Sequence, residues 1–298
     1  MTTFLQAVVN GVGQGAIYAL LALGFVMIYK ATKVISFAQP ALMVLGGLFS
    51  YHFVSQMGMP FWIGMILGIL CGALLGMLVE RVALRPMVGK PVFTLAIITI
   101  GLDIVLRIIA NRYIGSQSRI VTYPNGSERV DLFGVSISYQ RIGLIAVTAL
   151  CVAALVLFFR LTRTGLAMRA TAIDQETALA QGIRVGTMFA IAWGIAGGLA
   201  AVAGTFVAAG AAGIEQTSWT IALKALPAII IGGLDSVNGA VIGGLAIGVV
   251  ETLTATYQPA YAPWLGTNFA LVVPYALMFL VLLVRPYGLF GTKEVERV

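Results

Sequence analysis

Seven stretches of this chain, Phe4–Tyr29, Val34–Val54, Phe61–Val79, Val92–Ala110, Ile142–Phe159, Met188–Ala212 and Asn268–Val284, are almost unbroken runs of apolar residues. A helical crossing of a bilayer needs roughly 20 such residues. A core that must also carry a polar surface cannot absorb so many of them. An eighth segment, Ile221–Thr256, is too long for one crossing and too interrupted for a simple helix, so it is expected to form two short crossings or a re-entrant pair. The expected fold is an all-α integral membrane protein, a single domain over residues 1–298 with about eight or nine membrane helices, some of them broken or re-entrant. With 60% hydrophobic and 10% charged residues, the composition excludes an ordinary soluble domain. No cleavable signal peptide is visible, because the first run lacks a basic leader and is longer than a typical signal core. Cys71 and Cys151 fall inside apolar runs, where they act as small hydrophobes.

The net charge of +7 is not spread for nucleic acid. Arg160, Arg163, Arg169 and Arg184 crowd the polar island of residues 160–186, which marks it as cytoplasmic. Lys30, Lys33, Arg81, Arg85, Lys90, Arg285, Lys293 and Arg297 then fall on the same side, making twelve of the eighteen basic residues. Arg112, Arg119, Arg129 and Arg141 cluster around the external loop 111–141. The rule predicts an outside N-terminus and a cytoplasmic C-terminus. Within the island, Asp174–Gly182 reads as a short amphipathic helix. Asp174 caps it, Ala172, Ile173, Leu179, Ala180 and Ile183 give an apolar side, and Gly182 stops it. Such a helix on the inner face suits docking of a soluble partner.

Gly64, Gly68, Gly72 and Gly76 recur every four residues, and Gly11/Gly15, Gly194/Gly198 and Gly239/Gly243 repeat the spacing. These stripes pack helices within one bundle or form a dimer contact. Two interruptions stand apart. One is Ser36-Phe37-Ala38-Gln39-Pro40; the other is Gly232-Gly233-Leu234-Asp235-Ser236-Val237-Asn238-Gly239. Broken backbone at membrane depth survives only where protein buries it or water reaches it, so Ser36, Phe37, Gln39, Pro40, Asp235, Ser236 and Asn238 are candidate pathway residues. The alternative for the second break is a cytoplasmic turn between two short helices. Asp103 and Arg107, four apart, form an intramembrane ion pair on one helix face, with a gating role as the alternative. Lys224 is expected to snorkel outward. Glu251 sits near a membrane end or lines a polar cavity. His52 has no partner by spacing and is expected to make an interfacial polar contact. In the loop 111–141, Arg119–Tyr123 and Val130–Ser138 alternate around Pro124-Asn125-Gly126 and suggest a small hairpin.

H-E-x-x-H, G-x-S-x-G, a Cys–His cluster and a phosphate-cradling G-x-x-x-x-G-K-[ST] are all missing from the chain. The expectation is therefore no enzyme activity, no metal and no cofactor in this chain. Gly15-Ala16-Ile17-Tyr18-Ala19-Leu20-Leu21-Ala22-Leu23-Gly24, Val34–Pro40, Glu80-Arg81 with Arg85-Pro86, Thr99-Ile100-Gly101-Leu102, Gly232–Ala240 and Arg285-Pro286-Tyr287-Gly288-Leu289-Phe290-Gly291 follow one another almost end to end. In that order they resemble the permease subunits of bacterial ABC importers of the branched-chain amino acid type. The likeness is to the shorter of two paralogous permeases. Ser36, Gln39, Pro40 and Asp235 depart from the pattern.

The resemblance implies that Asp174, Glu176, Ala178 and Gly182 form the coupling helix that inserts into a cytoplasmic ATPase. It implies a paralogous permease, two cytoplasmic ATP-binding subunits carrying ATP and Mg, an external solute-binding protein, and residence in the lipid of the inner membrane. Uptake would proceed by alternating access for branched-chain amino acids or a related small polar or carboxylate solute. The alternative is a stand-alone secondary transporter or channel, with Asp103, Arg107 and Glu251 as its ion route.

Overall fold

A computed structural model describes residues 2–87, 91–126, 128–132 and 134–291. Lys90, Lys293 and Arg297, placed on the cytoplasmic side above, lie outside the described residues. The described chain is mostly helical, with one small hairpin as its strand pair. Six of its helices are long and apolar enough to cross a membrane, and shorter apolar helices lie between them.

The first is α1 (Thr2–Thr32), followed after a break by α2 (Gln39–Tyr51), which continues through a π-type turn at His52–Gln56. The run Val34–Val54 is thus not one helix. Pro40 has no N–H to donate, fits only the first turn, and sets the helix start at Gln39. Next come α3 (Phe61–Val79), α4 (Val92–Ile114), the strands β1 (Arg129–Leu132) and β2 (Val135–Ser138), and α5 (Tyr139–Leu161). The polar island holds two helices rather than one, α6 (Arg163–Ile173) and α7 (Gln175–Ala180). Beyond α8 (Val185–Ala208), two short helices follow, α9 (Trp219–Leu223) and α10 (Ala225–Gly232), then α11 (Val237–Tyr261) and α12 (Val273–Val284).

The expectation of two short elements in Ile221–Thr256 is half corrected. α9 and α10 are short, but α11 is a full 25-residue helix. Its start is fixed by Ser236, whose hydroxyl accepts from the Gly239 amide at 3.0 Å. The Asn268–Val284 run shrinks in turn, because a 3₁₀ turn at Phe269–Leu271 precedes a helix that begins only at Val273.

The core is built on α1 and α8. In α1, 83% of the apolar window is buried inside the chain, against 17% in α4, whose outer face is left for lipid or a partner. Helix α1 packs chiefly on α11 and α8, and α8 on α2 and α3. A methyl group on Gly248 would land on the backbone of Gly15, and one on Gly15 would meet the Leu245 backbone. The α1–α11 seam therefore brings main chains into direct contact, which only glycine permits. The α3 stripe also turns inward: Gly64 and Gly68 face Val54 and Ser50, while Gly72 and Gly76 face Gly197 and Trp193. Packing within one bundle is what these glycines do.

The hairpin is present but shifted. Both strands lie after the Pro124-Asn125-Gly126 turn, with Arg129 opposite Ser138 and Leu132 opposite Val135. Residues 119–121 pair elsewhere, Arg119 bridging Ile214 and the Val121 amide donating to Ala208 O at 2.9 Å. A partner elsewhere in the chain captured the segment that alternation alone assigns to the hairpin.

Candidate functional site

Two ends can be distinguished by what meets there. At one end, Lys30 at the foot of α1 lies 5.2 Å from the Phe159 ring at the foot of α5. The same end carries α6, α7 and the second break. At the opposite end the hairpin docks on α1 and the 119–121 segment docks beyond α8.

The α6–α7 corner is closed by its own side chains. The Thr162 hydroxyl accepts from the Gly165 amide at 2.9 Å and caps α6. Asp174 ends α6 and begins α7, its Oδ1 accepting from the Glu176 and Thr177 amides at 2.9 and 3.1 Å. Its Oδ2 accepts from the Thr177 hydroxyl at 2.6 Å. That hydroxyl first, and then the amides, hold the Asp174 carboxyl below the usual carboxylate range. At the other end of α7, the Ile183 amide donates to Ala178 O at 3.0 Å and the Gly182 amide to Leu179 O at 2.9 Å. Gly182 supplies the left-handed φ of +79° that this closure requires.

The four residues assigned to coupling divide by exposure. Asp174, Glu176 and Gly182 are on the surface, whereas Ala178 is buried and seats α7 on the bundle. Ile173, 87% exposed, and Leu179, 58% exposed, project outward beside Glu176. Ala172 and Ile183, expected on the same apolar side, are half-buried instead. The outward surface is therefore an apolar pair flanked by two carboxylates, Asp174 in the cap and Glu176 in the first turn. Behind it, α6 rests on α1, α5 and α8, so the corner is joined to the most buried helices of the chain.

The first break is enclosed by protein. Ser36 and Gln39 have no exposed surface, Pro40 is buried and Phe37 is half-buried. Ser36 Oγ accepts from the Ala38 amide at 3.3 Å, and the Phe37 amide donates to Thr99 Oγ1 at 3.1 Å. Gln39 Nε2 donates to Ala196 O at 3.2 Å, while its Oε1 is buried without a hydrogen bond among the described residues. Asp103 and Arg107 form their pair, Oδ2 to Nε at 2.7 Å. Asp103 does more than pair. Its Oδ1 accepts from the Ala41 amide at 3.1 Å and satisfies an orphan donor in the first turn of α2. Arg107 in turn lies 4.2 Å from the Trp219 ring centroid.

The second break is a closed turn at the α7 end. Gly233 takes φ +103°, and the Leu289 and Phe290 amides donate to Ile231 O and Gly232 O at 2.8 and 3.1 Å. The Arg285–Gly291 segment thus covers it. Asp235 acts electrostatically on Lys30, Ser236 caps α11, and Asn238 is exposed. The geometry is that of the turn between helices rather than of a backbone gap inside the bundle.

Lys224 does not snorkel. Its Nζ lies 2.5 Å from Glu251 Oε1, inside the bundle, at the junction of α9 and α10. Glu251 also accepts from the Tyr18 hydroxyl at 2.7 Å, and Gln14 Nε2 donates to that hydroxyl at 3.0 Å. Burying the ammonium is tolerable because a carboxylate meets it. The sequence spacing hides this pair, because Lys224 and Glu251 sit on different elements; the signal was that two intramembrane charges each needed a partner. His52 makes an exposed local contact with Gln56, Nδ1 to Oε1 at 2.5 Å.

Near the hairpin end a cavity of about 910 Å³ opens between α1, α5, the hairpin and the segment around α9. Gln6, Asn10 and Gln14 line it from α1. Their spacing of four continues to Tyr18 and marks one helix face, a signal present in the sequence but masked by the apolar run around it.

The model of the family described as "Branched-chain amino acid transport system / permease component" matches residues 7–282. The chain is 34% identical to the high-affinity branched-chain amino acid transport system permease protein LivH of Salmonella typhimurium and, equally, to that of Escherichia coli K12. Each alignment covers 99% of this chain and 98% of the relative. It is 32% identical to BraD of Pseudomonas aeruginosa over the same shares. A multi-pass helical bundle matched over nearly its whole length in this way belongs to the branched-chain amino acid-type permease family of ABC importers.

Proposed function

We propose that the chain is one permease half of an ATP-driven importer of branched-chain amino acids, working by alternating access in the inner membrane. It pairs with a paralogous permease, docks two cytoplasmic ATPases that hold ATP and Mg, and receives solute from an external binding protein. The N-terminus and hairpin face outward; α6 and α7 face the cytoplasm, as their arginines favour.

The observation that carries this reading is α7 itself. It is a short helix closed at both ends by the residues that flank it, seated on the bundle by Ala178, and presenting Glu176 and Leu179 to solvent beside Ile173 at the end of α6. A rigid helix of this kind passes a push from an ATPase through α6 into α1 and α8 without first having to fold. ATP shifts the equilibrium only if the ATPases hold α7 differently in the two states. The first break, enclosed between α2, α4 and α8, is the place where such a shift reaches the solute path. The substrate follows from full-length relatives named for branched-chain amino acids.

Purification of the detergent-solubilised chain from its native membrane tests the assembly. Two ATPases and a second permease should co-purify. Recovery of this chain alone, active in vesicles driven by an ion gradient without ATP, would replace the importer reading by a secondary transporter.

A further inference from the structure

We propose that the cavity at the hairpin end is a solute site within the permease itself, where Arg141 receives the carboxylate of a zwitterionic, aliphatic amino acid. The proposal rests on the importer reading and deepens it. Arg141 stands in the first turn of α5 and lines the cavity. Its guanidinium carries five donors, and Asn10 Oδ1 is its one hydrogen-bond acceptor among the described residues. No carboxylate pairs with it there, whereas Arg107 and Lys224, partly buried like it, each have one.

The side chain is held, not loose. It lies across Gly13, where an added methyl group would come within 2.9 Å of Arg141 Cδ. Asn10 is itself steadied by Gln6, whose amide donates to it at 3.2 Å and also clasps the hairpin, donating to Ser136 O and accepting from the Ser136 amide, both at 2.9 Å. A cation fixed at one end by an amide and left with open donors beside a cavity is arranged to bind an anion in a fork.

The rest of the wall fits the other two parts of such a solute. Glu215 is the one carboxylate among the described lining residues and suits an ammonium group. Ile17, Leu144, Phe206 and Ile221 supply apolar surface for an aliphatic side chain. Gln14 closes the inner end, where it donates to Tyr18 above the Glu251–Lys224 pair. A volume of about 910 Å³ leaves room for water around one amino acid, as a vestibule would.

The test uses the assembled permease–ATPase complex without binding protein, so that the binding protein's own affinity does not enter. Equilibrium binding of radiolabelled leucine is competed with leucine and with leucinamide, which lacks the carboxylate. In the wild type, leucinamide should compete at least about tenfold more weakly, the span expected of a charge-assisted contact. Arg141→Gln should abolish that preference. Arg141→Lys should keep part of it, and Gly13→Ala, which displaces the side chain without removing its charge, should weaken it in a complex that assembles normally. Retention of the full wild-type preference in Arg141→Gln, or in Gly13→Ala should the former fail to assemble, overturns the site while leaving the importer reading intact. A wild-type complex that takes up none of the branched-chain amino acids in the presence of its binding protein overturns the substrate reading, and the site with it.

Discussion

At the α7 end, the decisive contacts span a handful of residues: Asp174 to Glu176 and Thr177, Ile183 to Ala178, Gly182 to Leu179. At the hairpin end they join residues 130 or more positions apart, with Arg141 on Asn10, Gln6 on Ser136, and Tyr18 on Glu251. The first kind of site is written in one short peptide and keeps its shape while the bundle around it moves. The second exists only when the bundle is assembled, so its geometry changes whenever the helices do. For a transporter the division is useful. The element that meets a motor should be rigid, and the element that holds and releases solute should depend on the arrangement of the helices.

If that division is right, the heaviest damage to stability comes from breaking a long-range pair. Lys224→Met leaves the Glu251 carboxylate buried without its cation and should cost about 3–5 kcal/mol, read as a fall in thermal unfolding temperature in detergent. The double variant with Glu251→Gln should recover much of that loss, because no buried charge then remains. Full additivity of the two losses would show that the pair is not coupled. Overpacking the glycine seam is the next largest effect. Gly248→Ala sets a methyl group on the Gly15 backbone and should cost about 1–3 kcal/mol by the same measurement. An unchanged unfolding temperature would mean that the seam has slack. The local end should behave differently. Asp174→Ala should leave the unfolding temperature of the bundle unchanged and only lower the hydrogen-exchange protection of the Glu176 and Thr177 amides.

The pH dependence of that cap has a definite sign. The Asp174 carboxyl titrates lower in the folded helix than in the open chain. Its contribution is therefore complete above the ordinary aspartate range, near about 3.9, and is lost as pH falls through the lower folded value. Protection of the α7 amides should stay flat from neutral pH to about pH 5 and weaken only below the ordinary range. Weakening already between pH 7 and pH 5 would show that something other than Asp174 closes the helix.

The same contrast explains what was legible in the sequence. Phe61–Val79 and the cap-to-stop extent of α7 could be read directly, because periodicity, a capping aspartate and a stopping glycine act over one or two turns. The two breaks looked alike as strings, but one is enclosed in the bundle beneath Asp103 and the other is a turn closed by the C-terminal Arg285–Gly291 segment. Nothing local to either break specifies which residues, 62 positions away for the Asp103 contact at the first and 58 for the Leu289 and Phe290 contacts at the second, will cover it. Lys224 was expected at the surface for the same reason: its partner lies on another helix. The hairpin was displaced because Val121 found Ala208, a partner that alternation cannot anticipate.

The central claim is that α7 is the rigid link between ATP and the solute path. Its most direct test is ATP-driven leucine uptake by vesicles holding the full complex, comparing wild type with Glu176→Ala and Gly182→Ala. The unfolding temperature of the same preparations is measured in parallel. Loss of more than about tenfold in uptake at an unchanged unfolding temperature is the expected result, since Gly182→Ala strains a left-handed residue at a solvent-exposed stop and leaves the buried seams untouched. Uptake at the wild-type rate in both variants would contradict the account.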